Sequence, residues 1–178
     1  CEVLSAIEFV DHESMRLVLK QFPDHCRDPL ERAYPFYLLL EVSGSNPAHD
    51  AEKLEAFLES AMGDGCVVDG VVAQDGAQAL DLWRLREKVP VALSEQGAIY
   101  KYDVSLPQER TYDLVIETRE RLASAAPQAT VVGYGHLGDG NLHLNVYAPE
   151  ADGAIERAIE PFVYEWTSGV RGSISAEQ

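Results

Sequence analysis

The chain has 178 residues, of which 46% are hydrophobic and 25% are charged, and its formal net charge is -16. This composition is ordinary for a globular protein that can bury a core. The excess of acidic groups repels phosphates and anionic headgroups, so we expect neither nucleic acid nor an anionic membrane surface as a partner. No apolar run approaches the roughly 20 residues of a membrane-spanning helix, so the chain is not expected to be transmembrane.

The cysteines and the chain ends bound the class of protein further. The chain has three cysteines, Cys1, Cys26 and Cys66. Because their number is odd and they form no C-x-x-C pair, reduced thiols are favoured over a disulfide framework or a thiolate zinc site. The chain starts without Met inside an apolar segment and stops just after a strand-like "GSIS". We therefore expect it to be a piece of a larger protein.

The first half of the sequence predicts strands that alternate with helices. Asp11 is a suitable N-cap for a helix over residues 11–22, which carries an apolar stripe at helical spacing. A helix over residues 46–65, with Leu54, Phe57, Leu58 and Ala61 on one face, is stopped by glycine. Strands are predicted over residues 4–10, 35–44 and 66–74.

The second half begins with a helix over residues 76–97, which Pro90 is expected to kink or split. Residues 98–107 alternate as a strand, with Lys101 and Asp103 on one face and Tyr102 on the other. Further helices are predicted over residues 109–126 and 153–169, the latter interrupted by Pro161, and further strands over residues 129–136, 141–148 and 172–175.

This order of elements fits two architectures, a parallel α/β sheet or an α+β domain of ferredoxin-like βαβ units. Several strands alternate between apolar and polar residues, which indicates a sheet with unequal faces. We therefore predict an α+β fold with a mainly antiparallel sheet and helices packed on it. No G-x-G-x-x-G follows a strand, so nicotinamide binding has no support.

The stretch "YGHLGDGNLHLNV" is the most informative in the chain. With Asp139-Gly140 as the centre of a type I′ turn, His136 lies directly opposite His143, and Asn145 shares their face. Two imidazoles so placed can share one divalent cation, although two ligands do not define a site. The alternative is a plain turn with two surface histidines.

The basic residues also allow two interpretations. In a chain this acidic, Arg86 is expected to pair with Glu87 or a carboxylate of the sheet, and Lys101 with Asp103. Alternatively, Arg86 and Lys101 form a clamp for substrate carboxylates, since a guanidinium binds a carboxylate bidentately and a lysine adds a point charge.

Six stretches in order, "SGSN..HDAEKLEAFLE", "LWRLREKV", "YKYDVSLP", "GHLGDGNLHLNV", "EPFVYEWTSG" and "GSISAE", carry a family likeness over nearly the whole chain. On them, residues 1–178 resemble the C-terminal substrate (cap) domain of FAD-linked oxidases. The resemblance implies that an FAD-binding domain and the extreme C-terminus are absent here, and that the chain alone is inactive.

The resemblance also implies roles for individual residues. His136, His143 and Glu177 would bind Zn²⁺ or another divalent metal, and Arg86 and Lys101 would bind substrate carboxylates. Asn145 would contact the substrate or the flavin. The family has a histidine after the "SAE" glutamate, expected to serve as the base or to assist it, whereas this chain has Gln178. No catalytic residue is therefore assigned.

The implied function is FAD-dependent oxidation of a D-2-hydroxy acid, with D-2-hydroxyglutarate the expected substrate and 2-oxoglutarate the product. D-lactate or glycolate is the alternative substrate, and a metal-binding module without redox chemistry is the alternative class. A metal hydrolase would need a water-activating base at the hairpin, and none is evident. An electron-transfer flavoprotein or similar carrier is the expected acceptor. The expected compartment is the mitochondrial matrix for a eukaryotic source and the cytoplasm for a bacterial one.

Overall fold

The computed structural model describes residues 2–175. Within that range the chain forms six strands and five α-helices. The elements are β1 (Leu4–Asp11), α1 (His12–Gln21), β2 (Phe36–Val42), α2 (Pro47–Gly63), α3 (Gly76–Ser94), β3 (Ala98–Ser105), α4 (Asp113–Ala125), β4 (Thr130–His136), β5 (Asn141–Ala148), α5 (Gly153–Gly169) and β6 (Ser173–Ile174), with a 3₁₀ turn over Gln108–Arg110 before α4. No helix of residues 2–175 combines the length and apolar character that crossing a bilayer requires.

The strands form one sheet in the order β2-β1-β4-β5-β3-β6, and every neighbouring pair is antiparallel. In β3-α4-β4 the two strands flank β5, and in β5-α5-β6 they flank β3, which is the split βαβ arrangement of ferredoxin-like folds. The unit β1-α1-β2 extends this sheet on the β4 side. The predicted α+β class and its ferredoxin-like units are confirmed.

Helices cover both faces of the sheet. On one face, α4 and α5 pack on a core of alternating strand residues that includes Val104, Leu142, Leu144 and Val146, all fully buried. On the other face, α1 and α3 pack on Val10, Val132 and Tyr134. Beyond that second core, the same face continues into polar side chains, because strand residues two apart share a face.

The predicted N-cap of α1 is confirmed and does more than cap. Asp11 is fully buried, and its Oδ1 accepts the backbone N–H of Ser14 at 2.8 Å. Its Oδ2 accepts hydrogen bonds from Arg119 Nη2 at 2.7 Å, Gly133 N at 2.9 Å and the Tyr112 hydroxyl at 3.0 Å. One carboxylate therefore ties α1 and β1 to α4 and β4.

Contrary to expectation, the two prolines do not interrupt their helices. Pro90 lies inside α3 and Pro161 inside α5, and both helices continue past them. A proline costs a helix one backbone hydrogen bond. Tertiary packing offsets this cost, since Val89 and Leu93 beside Pro90, and Val163 beside Pro161, are fully buried.

Two other local predictions are wrong or incomplete. Residues 66–74 form no strand, and their Val68, Val71 and Val72 are exposed, so β-branched composition alone did not secure a sheet neighbour. The apolar stripe of α2 is only partly covered, because Phe57 is exposed.

Candidate metal and substrate site

The site lies on the sheet face that carries α1 and α3, beyond the end of their core. The strand register arranges its side chains in three rows across the sheet. The rows are Glu8-His136-Asn141-Ser105, then Tyr134-His143-Asp103, then Val132-Asn145-Lys101. The predicted shared face of His136, His143 and Asn145 follows from this register.

The predicted register of the hairpin is wrong by one row. His136 pairs with Asn141, and His143 pairs with Tyr134, so the two histidines are diagonal rather than directly opposed. A type I′ turn needs positive φ at both central residues, but of the described residues in this turn only Gly140 has one, +72°. The connection is instead a four-residue loop over residues 137–140.

Tertiary contacts fix that longer loop. The Leu106 N–H donates to the carbonyl of Gly140 at 2.9 Å, and the Leu137 N–H donates to the carbonyl of Ile7, also at 2.9 Å. At the tip, Asp139 Oδ1 accepts the N–H of Asn141 at 3.0 Å. The loop is thus held against β1 and against the residue that follows β3.

The diagonal register still brings the two imidazoles together. Their Nε2 atoms are 3.4 Å apart, their ring centroids are 5.2 Å apart and the rings are nearly perpendicular, at 81°. A tetrahedral cation held at about 2.0–2.1 Å by two imidazole nitrogens separates those nitrogens by roughly 3.3–3.4 Å. The distance between the two nitrogens therefore fits a shared divalent cation.

The protonation of His143 also suits a ligand. Burial lowers the pKa of the His143 imidazole; Asp103 opposes this shift, and the positive charge of Arg86 reinforces it. A metal-binding histidine must be neutral, and a lowered pKa keeps the ring neutral through the physiological range. Asp103 Oδ1 lies 3.7 Å from His143 Nδ1 and accepts a hydrogen bond from Asn141 Nδ2 at 2.6 Å.

The second nitrogen of His136 is held by a buried carboxylate. Glu8 Oε1 lies 2.7 Å from His136 Nδ1, and Glu8 Oε2 accepts a hydrogen bond from Arg86 Nε at 2.9 Å. The Glu8 side chain is 7% exposed, whereas that of His136 is 45% exposed. Sequence reasoning did not find Glu8, because its partners lie 128 and 78 positions away and no local pattern marks it.

The other predicted residues occupy distinct environments. Arg86 pairs with Glu8, a sheet carboxylate as expected, and stacks over the Tyr134 ring with its Cζ 4.8 Å from the centroid. Lys101 is exposed beside Asn145, and within residues 2–175 its side chain forms no hydrogen bond or ion pair, so its expected pairing with Asp103 is not formed. Asn145 is 3% exposed, and its Nδ2 donates to the carbonyl of His143.

The third predicted ligand, Glu177, and the adjacent Gln178 lie outside the described residues. Across residues 2–175 there is no cluster of three or more histidine, cysteine or carboxylate side chains able to hold a metal. The last described residue, Ser175, donates its N–H to the carbonyl of Asp103 on β3, the strand beside His143. The described site thus offers two nitrogen ligands, and a complete set requires a further donor.

Two surface clefts are lined by other residues. One, of about 480 Å³, is lined by His12, Phe36, Tyr112, Arg119 and neighbours, and the other, of about 530 Å³, by residues of the 24–29 and 71–85 segments. In the first cleft, Arg119 already donates to Asp11, Tyr112 and the carbonyl of Val131. Neither cleft contains the histidine pair or Lys101.

The fold and the site define a ferredoxin-like α+β domain with two histidines and a lysine on one sheet face and an arginine of α3 on the same side of the sheet. The chain belongs to the family of FAD linked oxidases, C-terminal domain, whose model matches residues 2–177. It is 53% identical over 176 residues to the mitochondrial D-2-hydroxyglutarate dehydrogenase of Arabidopsis thaliana and 52% identical over 176 residues to that of Bos taurus. Each match covers 99% of this chain and 31% of the relative.

A third relative carries the name of a different reaction, a transhydrogenase. The D-2-hydroxyglutarate–pyruvate transhydrogenase of Saccharomyces cerevisiae is 43% identical over 183 residues, which cover 99% of this chain and 37% of that protein. The chain thus spans about a third of the length of the curated relatives it matches.

Proposed function

We propose that this chain is the substrate-binding part of an FAD-dependent dehydrogenase that oxidises D-2-hydroxyglutarate to 2-oxoglutarate. The observation that carries the proposal is the convergence of the His136–His143 pair with Arg86 and Lys101 on one sheet face. The family and the names of the relatives supply the reaction class.

The two imidazoles would hold a divalent cation, with Glu177 proposed as the third ligand. A bound divalent cation lowers the pKa of a coordinated hydroxyl, as it does for coordinated water. The chain's own contribution is to place two imidazole nitrogens 3.4 Å apart on neighbouring strands. The substrate hydroxyl and its carboxylate would be oriented there.

The two cations select the substrate in this proposal. Arg86 is fixed by Glu8 and by the Tyr134 ring, and its guanidinium has further N–H donors for a carboxylate. Lys101 stands exposed in the next row. D-2-hydroxyglutarate carries two carboxylates, whereas D-lactate and glycolate carry one. Two separate cations therefore favour the dicarboxylate.

FAD, when bound, supplies the hydride acceptor. Its binding is assigned to the part of the protein beyond this chain, and Asn145 is proposed to contact the substrate or the flavin. No proton acceptor is assigned, since position 178 is glutamine. We further propose an electron-transfer flavoprotein or similar carrier as the acceptor. The names of the relatives support the proposal of a mitochondrial location for a eukaryotic source.

Anaerobic flavin reduction by the full-length protein tests the substrate. Lys101→Ala is the informative variant, because no described contact of Lys101 is lost when it is shortened. Removing a charged hydrogen-bond donor costs about 1.5–3 kcal/mol, so kcat/KM for D-2-hydroxyglutarate should fall roughly 10- to 150-fold, with a much smaller fall for D-lactate. Arg84→Ala is the matched control, since Arg84 is paired with Asp81 away from the histidine pair.

Two outcomes would contradict the proposal. Faster flavin reduction by D-lactate or glycolate than by D-2-hydroxyglutarate in the wild type would favour the alternative substrates. An equal loss for both acids in Lys101→Ala would mean that Lys101 does not read the second carboxylate.

A further inference from the structure

The Glu8 carboxylate is buried, yet it lies between two residues that the proposed function uses. Burying a carboxylate is unfavourable unless its oxygens are paired and hydrogen-bonded. Glu8 meets this condition with one oxygen on His136 Nδ1 and the other on Arg86 Nε. It is therefore the one described carboxylate that contacts both the proposed metal ligand and the proposed substrate cation.

The contact with His136 determines which nitrogen carries the proton. A carboxylate only accepts hydrogen bonds, so in the neutral ring a hydrogen bond at 2.7 Å places the proton on Nδ1 and leaves the lone pair on Nε2. That Nε2 atom is the one 3.4 Å from Nε2 of His143. Metal-binding histidines are commonly oriented in this way by a carboxylate on the second nitrogen.

The contact with Glu8 also fixes the position of the Arg86 guanidinium. The Arg86 side chain is 10% exposed and lies between Glu8 and the face of Tyr134. Because a single carboxylate holds both partners, the imidazole and the guanidinium cannot move independently. The β1–β4 register, in which Glu8 pairs directly with His136, places this carboxylate beside the imidazole.

We propose that Glu8 is a positioning residue that fixes His136 as its Nδ1–H tautomer and holds Arg86 beside it. This inference rests on the proposed function for its chemical purpose. Its structural content, the tautomer of His136, is independent of any metal. The simpler alternative is that Glu8 merely neutralises Arg86.

Glu8→Gln separates the two explanations because an amide has one acceptor and one donor. Arg86 Nε can only donate, so the amide oxygen must turn toward Arg86 and the amide NH₂ toward His136 Nδ1. The proton of His136 is then expected to move to Nε2, where it blocks a metal. Glu8→Asp keeps a carboxylate and should retain the Nδ1–H tautomer.

The tautomer can be read without metal by ¹⁵N–¹H correlation of the imidazole rings at pH 8, where an imidazole is ordinarily neutral. The chain has five histidines, so a His136→Gln spectrum assigns the signals. Zinc titration of the same proteins gives the second measurement, with an expected loss of affinity of about 10- to 100-fold in Glu8→Gln. Glu41→Gln is the control, because Glu41 accepts a hydrogen bond from Trp83 away from the histidines.

An Nδ1–H tautomer in the wild type and in Glu8→Asp, with an Nε2–H tautomer and weaker zinc binding in Glu8→Gln, supports the inference. An Nε2–H tautomer in the wild type overturns it, as does an unchanged tautomer in Glu8→Gln. If Glu8→Gln does not fold, loss of the Nδ1–H tautomer in a folded Glu8→Asp protein overturns it too. A tautomer that changes as expected in a chain that binds no zinc supports the role of Glu8 and contradicts the proposed metal chemistry.

Discussion

The loop that connects the two histidine-bearing strands should depend on Gly140 far more than on Gly138. Gly140 has a φ of +72°, and a Cβ added there would lie 2.2 Å from the backbone oxygen of Leu106. A Cβ added at Gly138 would meet only the Ile7 side chain, at an ordinary 3.5 Å. Gly140→Ala and Gly138→Ala are therefore a matched pair, since each adds one methyl group to the same four-residue loop.

The expected cost of Gly140→Ala has two parts. The left-handed conformation costs a residue with a Cβ about 1–2 kcal/mol. Moving the Leu106 carbonyl away from the new methyl group adds an overpacking cost of about 1–3 kcal/mol. The movement also strains the hydrogen bond from Leu106 N to the Gly140 carbonyl. Together these effects should lower the free energy of unfolding by roughly 2–5 kcal/mol.

Urea unfolding followed by circular dichroism measures this difference. With the m-values of about 1–3 kcal/mol/M that are typical in urea, Gly140→Ala should lower the midpoint by about 1 M or more. Gly138→Ala should stay within about 0.5 kcal/mol of the wild type, as surface substitutions usually do. If the two variants had equal midpoints, the close approach of the loop to Leu106 would be wrong.

Further predictions concern the buried groups. Asp11→Ala should lower the free energy of unfolding by about 3–5 kcal/mol, because it leaves Arg119 and the Gly133 N–H without their buried acceptor. Asp81→Ala is the control and should cost less than about 1 kcal/mol, since the ion pair of Asp81 is exposed. Equal losses in urea unfolding would count against the Asp11 network. Burial raises the pKa of the Cys26 thiol, so less of it is thiolate at any pH near 8 than for an ordinary thiol. At pH 8, iodoacetamide should therefore modify the exposed Cys66 faster than the buried Cys26, as read by peptide mass spectrometry, and unfolding in urea should abolish the difference. Comparable rates in the folded chain would show that Cys26 is accessible.

The face of each site residue was predictable, whereas the register was not. Alternation along β4 and β5 alone places His136, His143 and Asn145 on one side, because the side-chain period of a strand is two. The one-row error came from loop length. That length is set by two hydrogen bonds between the loop and the rest of the chain. Leu106, which follows β3, donates to Gly140, and Leu137 donates to Ile7 of β1.

The residues that the sequence did not reveal share one property: their roles depend on long-range pairing. Glu8 reads locally as one polar position in a strand, and only the β1–β4 pairing brings it to His136. The valines of residues 66–74 show the converse case. They have high strand propensity, but the propensity of a strand depends on the neighbours it packs against, and three of them remain exposed.

Anomalous X-ray scattering tests most directly whether His136 and His143 together bind a divalent cation. Crystals of the chain grown with zinc and measured at the zinc absorption edge should show a peak between the two Nε2 atoms, about 2.0–2.1 Å from each. The peak should be absent from crystals of His143→Ala. Zinc bound at other residues, with no peak between these two nitrogens in the wild type, would contradict such shared binding.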